Sequence, residues 1–176
     1  MAIARVHYEV IKELRNLNLL KVHGSILELG EQNWYGDIPI KLLHDDIAIY
    51  ADNNFKEKLV KELVLLWENK PATLPYDITK IWYKTFFQAK SINAIDLHGT
   101  NKALKIDLNL PHELNRQFDY VIDIGTGEHV FNIFQFFQSI HKWTKPNGLI
   151  IHCLPVAGDI DHGFYNFHPT FYWDIA

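Results

Sequence analysis

A short segment near the N-terminus combines carboxylates with a glycine in a way that restricts its ligand. Glu28 and Gly30 end an apolar run, and Glu31, Asn33 and Trp34 follow within four residues. A bound pyrophosphate requires backbone N–H groups brought close by several glycines at a helix N-terminus. A carboxylate and an indole in this loop would repel and crowd such an anion, whereas two carboxylates would attract a positively charged ligand.

Two later carboxylates also end apolar runs. Asp96 lies in AIDLHG and could accept hydrogen bonds from both hydroxyls of a ribose. Asp107 lies in KIDLNLP and could accept one from an adenine amino group. S-adenosylmethionine carries a sulfonium, an amino group, a ribose and an adenine but no phosphate, so the three segments together predict it as the cofactor. Each aspartate alone could also be a helix cap or an ordinary loop residue.

The segment DIGTGEHVFN offers side chains that could contact this cofactor or orient a methyl acceptor. We expect Asp123, Gly125 and Glu128 to contact the cofactor and His129 to contribute to catalysis. The glycine permits close approach of a ligand to the backbone. Alternatively, Thr126 and Glu128 are the N-cap and the first-turn acid of a helix.

The C-terminal segment DIDHGFYNFHPTF supplies two candidate bases. Methyl transfer to oxygen or nitrogen mainly requires positioning of the acceptor, often with a base that removes its proton. His162 and His168 could serve as that base, or they could be solvated loop residues. These two could also form a metal site with His129 and His152, but their spacing matches no tight ligand motif, and we expect no metal. The surrounding aromatic residues could form an acceptor pocket or pack on the sheet.

Apolar runs and helical periodicity predict the elements that position these side chains. An N-terminal helix, with apolar residues three and four apart, leads into the first strand. Four later runs with few alternating polar positions are typical of strands buried on both faces, and they span residues 92–97, 104–108, 118–124 and 148–155. The segment HVFNIFQFFQSIHKW predicts a helix between the last two, which implies a right-handed parallel crossover. The sequence therefore predicts an α/β fold with an open, mostly parallel sheet flanked by helices, and ligands beyond the carboxyl ends of its strands.

Residues 37 to about 75 interrupt this alternation. They contain a charged amphipathic segment, NFKEKLVKELVLLWENK, and a breaker, PATLP, ahead of a second helical segment, DITKIWYKTFFQAK. One crossover helix would suffice here, so we expect a helical insertion after the first strand. It could cover the strand ends as a lid, or it could pack on the sheet for stability.

The order of these segments resembles the class I S-adenosylmethionine-dependent methyltransferases, a Rossmann-like family, over nearly the whole chain apart from the insertion. The most specific stretch is FDYVIDIGTGEHVFN with KPNGLIIHCLP. The resemblance implies cofactor contacts at successive strand ends: Glu28 and Gly30 by the methionine moiety, Asp96 and Leu97 at the ribose, Asp107 and Leu108 at the adenine. The chain departs from the family in lacking the second glycine of the first loop, and its spacing from Gly30 to Asp96 far exceeds the roughly 20 residues of a simple dinucleotide unit.

These features lead to one preferred function and two alternatives. We expect methyl transfer from S-adenosylmethionine to an oxygen or nitrogen of a small molecule, such as a sugar or another metabolite. The first alternative is a catalytically silent module that keeps the fold and recruits a partner through its aromatic tail. An NAD-dependent enzyme is disfavoured by the missing glycines.

Composition agrees with a small-molecule function. The 176 residues are 48% hydrophobic with a net charge of −4, which suits one globular domain and favours neither nucleic acid nor an anionic membrane as a partner. No run is long and apolar enough for a membrane span or a signal peptide, so we expect a cytoplasmic protein with one methyltransferase-like domain over residues 1–176. Cys153 is the only cysteine, and its apolar context predicts an inert core thiol.

The C-terminus suggests an incomplete sheet. Two further strands normally follow the fifth in the resembled fold, but only VAGDIDHGFYNFHPTFYWDIA follows Pro155, and it predicts no hairpin. We therefore expect either a portion of a longer methyltransferase or a sheet edge that is covered by the aromatic tail or a partner. An open edge at LIIHC would invite pairing with a second copy of the chain.

Overall fold

The computed structural model describes residues 2–175, and its central element is a parallel sheet of four strands. With strands numbered in chain order, the sheet contains β2 (Ser25–Leu29), β4 (Ser91–Ile95), β5 (Phe118–Ile124) and β6 (Thr144–Cys153). Their order is β4-β2-β5-β6. Strands β5 and β6 pair in a register that sets Asp123 opposite His152. The predicted α/β class with an open parallel sheet flanked by helices is confirmed.

The chain divides into two compact units. The first contains residues 27–31 and 93–175, and the second contains residues 2–26 and 32–92. Each unit has its own buried side chains and is described by itself below. The expectation of a single domain stays a prediction.

The first unit has its core between the sheet and one helix. A 3₁₀ turn (Gly127–His129) follows β5, and helix α5 (Ile133–Trp143) then leads to β6, as the periodicity predicts. Apolar side chains from the strands and from α5 form one buried cluster that includes Leu27, Leu29, Ile95, Phe118, Val121, Phe136, Ile140 and Trp143. Because these strands are buried, their apolar runs are continuous rather than alternating.

The second unit is mainly helical. It contains β1 (Ala2–Ile3), α1 (Arg5–Asn16), β3 (Asn33–Trp34), α2 (Ile40–Tyr50), α3 (Lys56–Asn69) and α4 (Leu74–Phe86). Strands β1 and β3 pair in parallel over two residues. Buried aromatic side chains dominate its core, among them Tyr8, Trp82, Tyr83, Phe86 and Phe87. The segment predicted as an insertion lies within this unit, and its action as a lid stays a prediction.

Three elements differ from the sequence-based expectation. The predicted strand at 104–108 is reduced to one parallel bridge, in which Leu104 pairs with Ile95. Its alternate residues include Lys105 and Asp107, which favour solvent over a buried ladder. Helix α2 (Ile40–Tyr50) was not predicted, since the helical pattern in this region was recognised only in the later segment that forms α3. Helix α6 (Pro169–Ile175) also forms in the tail, where no helix was expected.

Strand β6 lies at one edge of the sheet, as expected, and no strand follows it within residues 154–175. The aromatic tail packs on the same unit, where the Phe171 ring lies 4.8 Å from that of Phe137 and the Tyr172 ring lies 5.6 Å from that of His152. Cys153 is exposed, so its assignment to the core was wrong. Pairing of this edge with a second copy stays a prediction. Among residues 2–175, no helix combines the length and the apolar character that a membrane crossing requires.

Candidate functional site

The two central strands of the sheet define the place where a ligand would be expected. From β2 the chain continues to β4 on one side, and from β5 it continues to β6 on the other, so the direction of winding changes between β2 and β5. Open α/β sheets bind ligands outside the carboxyl ends of the strands at such a switch point. Gly30 and Gly125 follow these strand ends with φ angles of +71° and +73°. Glycine adopts this left-handed backbone without strain, which explains its presence at both turns.

A side-chain hydrogen bond joins the two turns. The Thr126 hydroxyl donates to the backbone carbonyl of Leu29 over 2.6 Å. Thr126 begins the 3₁₀ turn but makes no side-chain capping bond there. Thr126 does occupy the N-cap position, with Glu128 in the first turn, as the alternative predicted, but its hydroxyl ties the loop after β5 to the end of β2 instead of capping the turn.

The carboxylates after β2 and β4 form one connected loop structure. Glu31 is buried and accepts hydrogen bonds from the Thr100 amide (2.6 Å) and hydroxyl (3.0 Å). Asp96 accepts from the Glu31 amide (2.9 Å) and the His98 amide (2.8 Å). A Cβ at Gly99 would lie 2.9 Å from both acidic side chains, so only glycine fits there. Asp96 is half-buried, and since a carboxylate can accept about four hydrogen bonds, it retains capacity for a ligand.

The other predicted contacts of the first loop have different positions. Glu28 is fully buried within β2. Asn33 and Trp34 form β3, in the second unit, where the Trp34 indole donates to the Ile38 carbonyl and its ring lies edge-on to Tyr8. Asn33 and Trp34 are close to Gly30 in the chain, but they belong to the second compact unit, whereas the strand ends belong to the first.

The predicted adenine contacts follow the single bridge of Leu104. Asp107 accepts hydrogen bonds from the backbone and side-chain nitrogens of Asn109, and these bonds lower the pKa of its carboxyl. Leu108 is buried in the core, whereas Leu97 is half-exposed. Asp107 thus stabilises its own turn, and the adenine contact stays a prediction.

Asp123 is fully buried at the end of β5, and both of its oxygens are engaged. Oδ1 accepts from the amides of Thr126 and Gly127, which makes Asp123 the residue that caps the 3₁₀ turn. Oδ2 lies 2.9 Å from Nδ1 of His152. These contacts within the fold account for the carboxylate without a ligand.

Glu128, His129 and His162 form the densest group of ionisable side chains near the strand ends. The Glu128 side chain is 1% exposed, and its Oε1 lies 3.3 Å from Nε2 of His162 and 3.7 Å from Nε2 of His129. The two imidazole rings are 4.9 Å apart. The histidines are 41% and 50% exposed, so the group is buried on the carboxylate side and open on the imidazole side. Its negative charge, after burial and Asp123, contributes to raising the pKa of the Cys153 thiol.

The tail positions His162 through its backbone. The amide of Phe164 donates to the Glu128 carbonyl over 2.7 Å, and that of Tyr165 lies 3.3 Å from the same oxygen. A Cβ on Gly163 would lie 2.8 Å from this oxygen and 2.9 Å from the Glu128 Cγ. The absence of a side chain at residue 163 therefore allows the close contact that sets His162 beside Glu128.

His168, the third predicted catalytic residue, has a local role. Its Nδ1 lies 2.8 Å from the Thr170 hydroxyl and accepts from the Thr170 amide at the start of α6. Of the three candidate histidines, the structure brings together His129 and His162. Glu128 was predicted as a cofactor contact, and its pairing with these histidines was missed because His162 is 34 residues away in the chain.

A cavity in the second unit was not predicted. It measures about 490 Å³, and its lining includes Phe55, Lys58, Glu62, Lys84 and Lys90. The Lys84 ammonium lies 3.3 Å from the Glu62 carboxylate. Since both side chains are more than a third exposed, this pair is an ordinary solvated one.

Comparison of the chain with known protein families, with curated proteins and with solved structures found no match.

Proposed function

We propose that the protein transfers a methyl group from S-adenosylmethionine to an oxygen or nitrogen of a small-molecule acceptor. The observation that carries this proposal is the switch point between β2 and β5, where Gly30 and Gly125 turn the chain beside carboxylates rather than a glycine-rich phosphate cradle. A cofactor with a positive charge and no phosphate suits these surroundings. The half-buried Asp96, with its remaining acceptor capacity, is the candidate ribose ligand.

The reaction requires little covalent chemistry from the protein. S-adenosylmethionine supplies an electrophilic methyl carbon: the carbon–sulfur bond breaks as the acceptor forms its new bond, and sulfur keeps the electron pair. The chain would orient the acceptor and receive its proton. His129 and His162 are half-exposed beside the Glu128 carboxylate, which would stabilise an imidazolium after proton transfer.

One set of observations favours the alternative of a catalytically silent module. Glu31, Asp107 and Asp123 all accept hydrogen bonds from within the chain. Such contacts are what residues with a purely structural role make. In this alternative the loops would keep the fold without binding a cofactor.

Calorimetric titration separates these functions. We expect S-adenosylmethionine and S-adenosylhomocysteine to bind while NAD does not. Asp96→Asn keeps an acceptor oxygen for its loop but removes the charge, and should weaken S-adenosylhomocysteine binding at least about tenfold, as expected for a charge-assisted hydrogen bond. Glu113→Gln, at an exposed glutamate paired with Lys142, is the matched control and should bind normally.

Two outcomes would contradict the proposal. Micromolar binding of NAD without any response to S-adenosylhomocysteine would identify NAD, and not S-adenosylmethionine, as the cofactor. Absence of binding by all three compounds to the folded protein would favour the silent module.

A further inference from the structure

The Glu128 carboxylate is buried without enough hydrogen-bond partners. Its Oε1 faces two imidazoles, but its Oε2 is buried and has no hydrogen-bond partner among the described residues. A buried carboxylate is strongly unfavourable unless it is paired or coordinates a cation. His129 and His162 lie beside this carboxylate on its solvent-exposed side, so a cation that compensates its negative charge would bind there.

The distances within the group suit a metal ion. One ligand atom from each of Glu128, His129 and His162 lies within 4.8 Å of the others. Zinc bonds of 2.0–2.2 Å in tetrahedral geometry separate ligand atoms by about 3.4 Å, and two of the separations here are 3.3 and 3.7 Å. Because no pair of these atoms is more than 4.8 Å apart, the widest pair must approach by no more than about 1.4 Å to surround one ion.

The donor types restrict the metal. Two imidazoles and one carboxylate suit zinc, iron, nickel or copper, whereas calcium and magnesium prefer oxygen ligands alone. Three protein ligands leave further coordination positions open, as catalytic sites do and closed structural sites do not. We infer that Glu128, His129 and His162 bind a divalent first-row transition metal ion, represented by Zn²⁺, with open positions for water or for a substrate oxygen. This inference does not rest on the proposed methyl transfer: a histidine that binds the ion through its ring nitrogen cannot also receive the acceptor's proton there, so metal binding and the role of His129 and His162 as bases are alternatives.

A neighbouring carboxylate–histidine pair, Asp123 and His152, lacks the features that make the Glu128 group a candidate metal site. Asp123 and His152 also lie close together, at 2.9 Å. Both oxygens of Asp123 already have partners, and the His152 side chain is only 11% exposed between aromatic rings. That pair is complete within the fold, whereas Glu128 is not.

Metal binding by the whole chain tests the inference. After removal of bound metal with a chelator, Co²⁺ is added while its visible absorption is recorded, and Zn²⁺ is added in competition with a chromogenic chelator. We expect about one equivalent to bind, with intense Co²⁺ bands that indicate low coordination number. His129→Ala and His162→Ala should each weaken binding at least about tenfold, since each removes one ligand. Both histidines are half-exposed, so these variants should fold.

His168→Ala is the matched control, because His168 is an exposed histidine of the same tail outside the group. It should bind like the unmodified chain. Two results would overturn the inference: no saturable binding at millimolar Co²⁺, or the same affinity in the His129→Ala/His162→Ala double variant as in the unmodified chain. Because the readout is the ion, failure of S-adenosylmethionine binding in calorimetry would leave this test intact, and the reverse also holds.

Discussion

Each compact unit buries carboxylates, and one from each unit, Asp46 and Glu128, differ in how fully they are paired. In the helical unit, Asp46 is 2% exposed and receives hydrogen bonds from Lys12 to both oxygens at 2.9 Å and from the Tyr8 hydroxyl at 2.7 Å. In the sheet unit, Glu128 is equally buried, with two imidazoles near one oxygen and no described residue of the chain bonded to the other. Burial of an acid therefore does not by itself distinguish structure from function.

The surroundings of the two acids show the same contrast. Burial and the hydrogen bond to Asp46 raise the pKa of Tyr8. Partial burial lowers the pKa of Lys12, but its hydrogen bond to Asp46 and the charge of that residue raise it by more. These partners hold Asp46 in a closed network. The partners of Glu128 are half-exposed and open to solvent, which is the arrangement of a site that receives a ligand.

The largest expected effect tests Asp46 as a structural group. Asp46→Ala should lower the free energy of unfolding by about 3 kcal/mol, because it leaves Lys12 and the buried Tyr8 hydroxyl without their acceptor. Urea denaturation measures this value. The neighbouring Asp45→Ala removes only exposed contacts with Lys41 and His44 and should leave the midpoint unchanged. Equal midpoints for the two variants would show that the Asp46 network is not stabilising.

The second effect concerns the position of His162. Gly163→Ala should weaken Zn²⁺ binding about tenfold, because the new Cβ would collide with the Glu128 backbone and move the tail. Competition with a chromogenic chelator gives the affinity. Gly36→Ala is the control, since a Cβ there meets nothing within 4 Å. Unchanged affinity in Gly163→Ala would mean that the tail contact does not position a ligand.

A third prediction compares two buried threonines, one from each unit. Thr126→Val should lower the free energy of unfolding by about 1 kcal/mol, since it removes the hydrogen bond between the loops at the switch point. Thr85→Val should have a smaller effect, because its hydroxyl donates only to the Ile81 carbonyl one turn back in its own helix. Thermal melts of both variants measure the difference, and a larger loss for Thr85→Val would contradict the assigned role of Thr126.

The smallest effect is a change in thiol reactivity. Although Cys153 is exposed as a residue, partial desolvation of its thiol and the charges of Asp123 and Glu128 raise the pKa of that thiol, so less thiolate is present at pH 8 than for a free cysteine, and reaction with a disulfide reagent should be slow. Glu128→Gln removes one charge, lowers this pKa and should speed the reaction by less than about threefold. Stopped-flow absorbance with metal-free protein, with Glu113→Gln as control, measures it. Identical rates for Glu128→Gln and the control would show that the charge of Glu128 does not affect the pKa of the Cys153 thiol.

Most of the sheet could be predicted because β2 and β5 are buried along nearly their whole length and therefore read as continuous apolar runs, and the more exposed edge strand β6 also contains one. The same rule failed at residues 104–108, where apolar residues alternate with Lys105 and Asp107 and only Leu104 pairs with the sheet. The two-residue strands β1 and β3 are too short to give a pattern. Local signals thus identified most of the long elements, while the two-residue strands depended on tertiary contacts.

The candidate site was predictable only in part. Glu128 and His129 are adjacent in the chain, and their place after an apolar run marked them as candidates. The approach of His162 depends on how the tail returns over Glu128, which residue spacing does not encode. Gly163 beside His162 was the one available signal of a close backbone contact, and it has that meaning only once Glu128 is known to lie opposite.

The most direct test of the contrast between the two acids is the effect of Zn²⁺ on stability in matched variants. At a Zn²⁺ concentration 100 times the dissociation constant, the unmodified chain should gain about 2.7 kcal/mol in unfolding free energy. Asp46→Asn should start from a lower stability and gain the same amount, whereas Glu128→Gln should gain no more than about 1.4 kcal/mol, because loss of one ligand weakens binding at least about tenfold. Equal gains in Glu128→Gln and the unmodified chain would contradict the account, because the half-paired carboxylate would then not be part of the metal site.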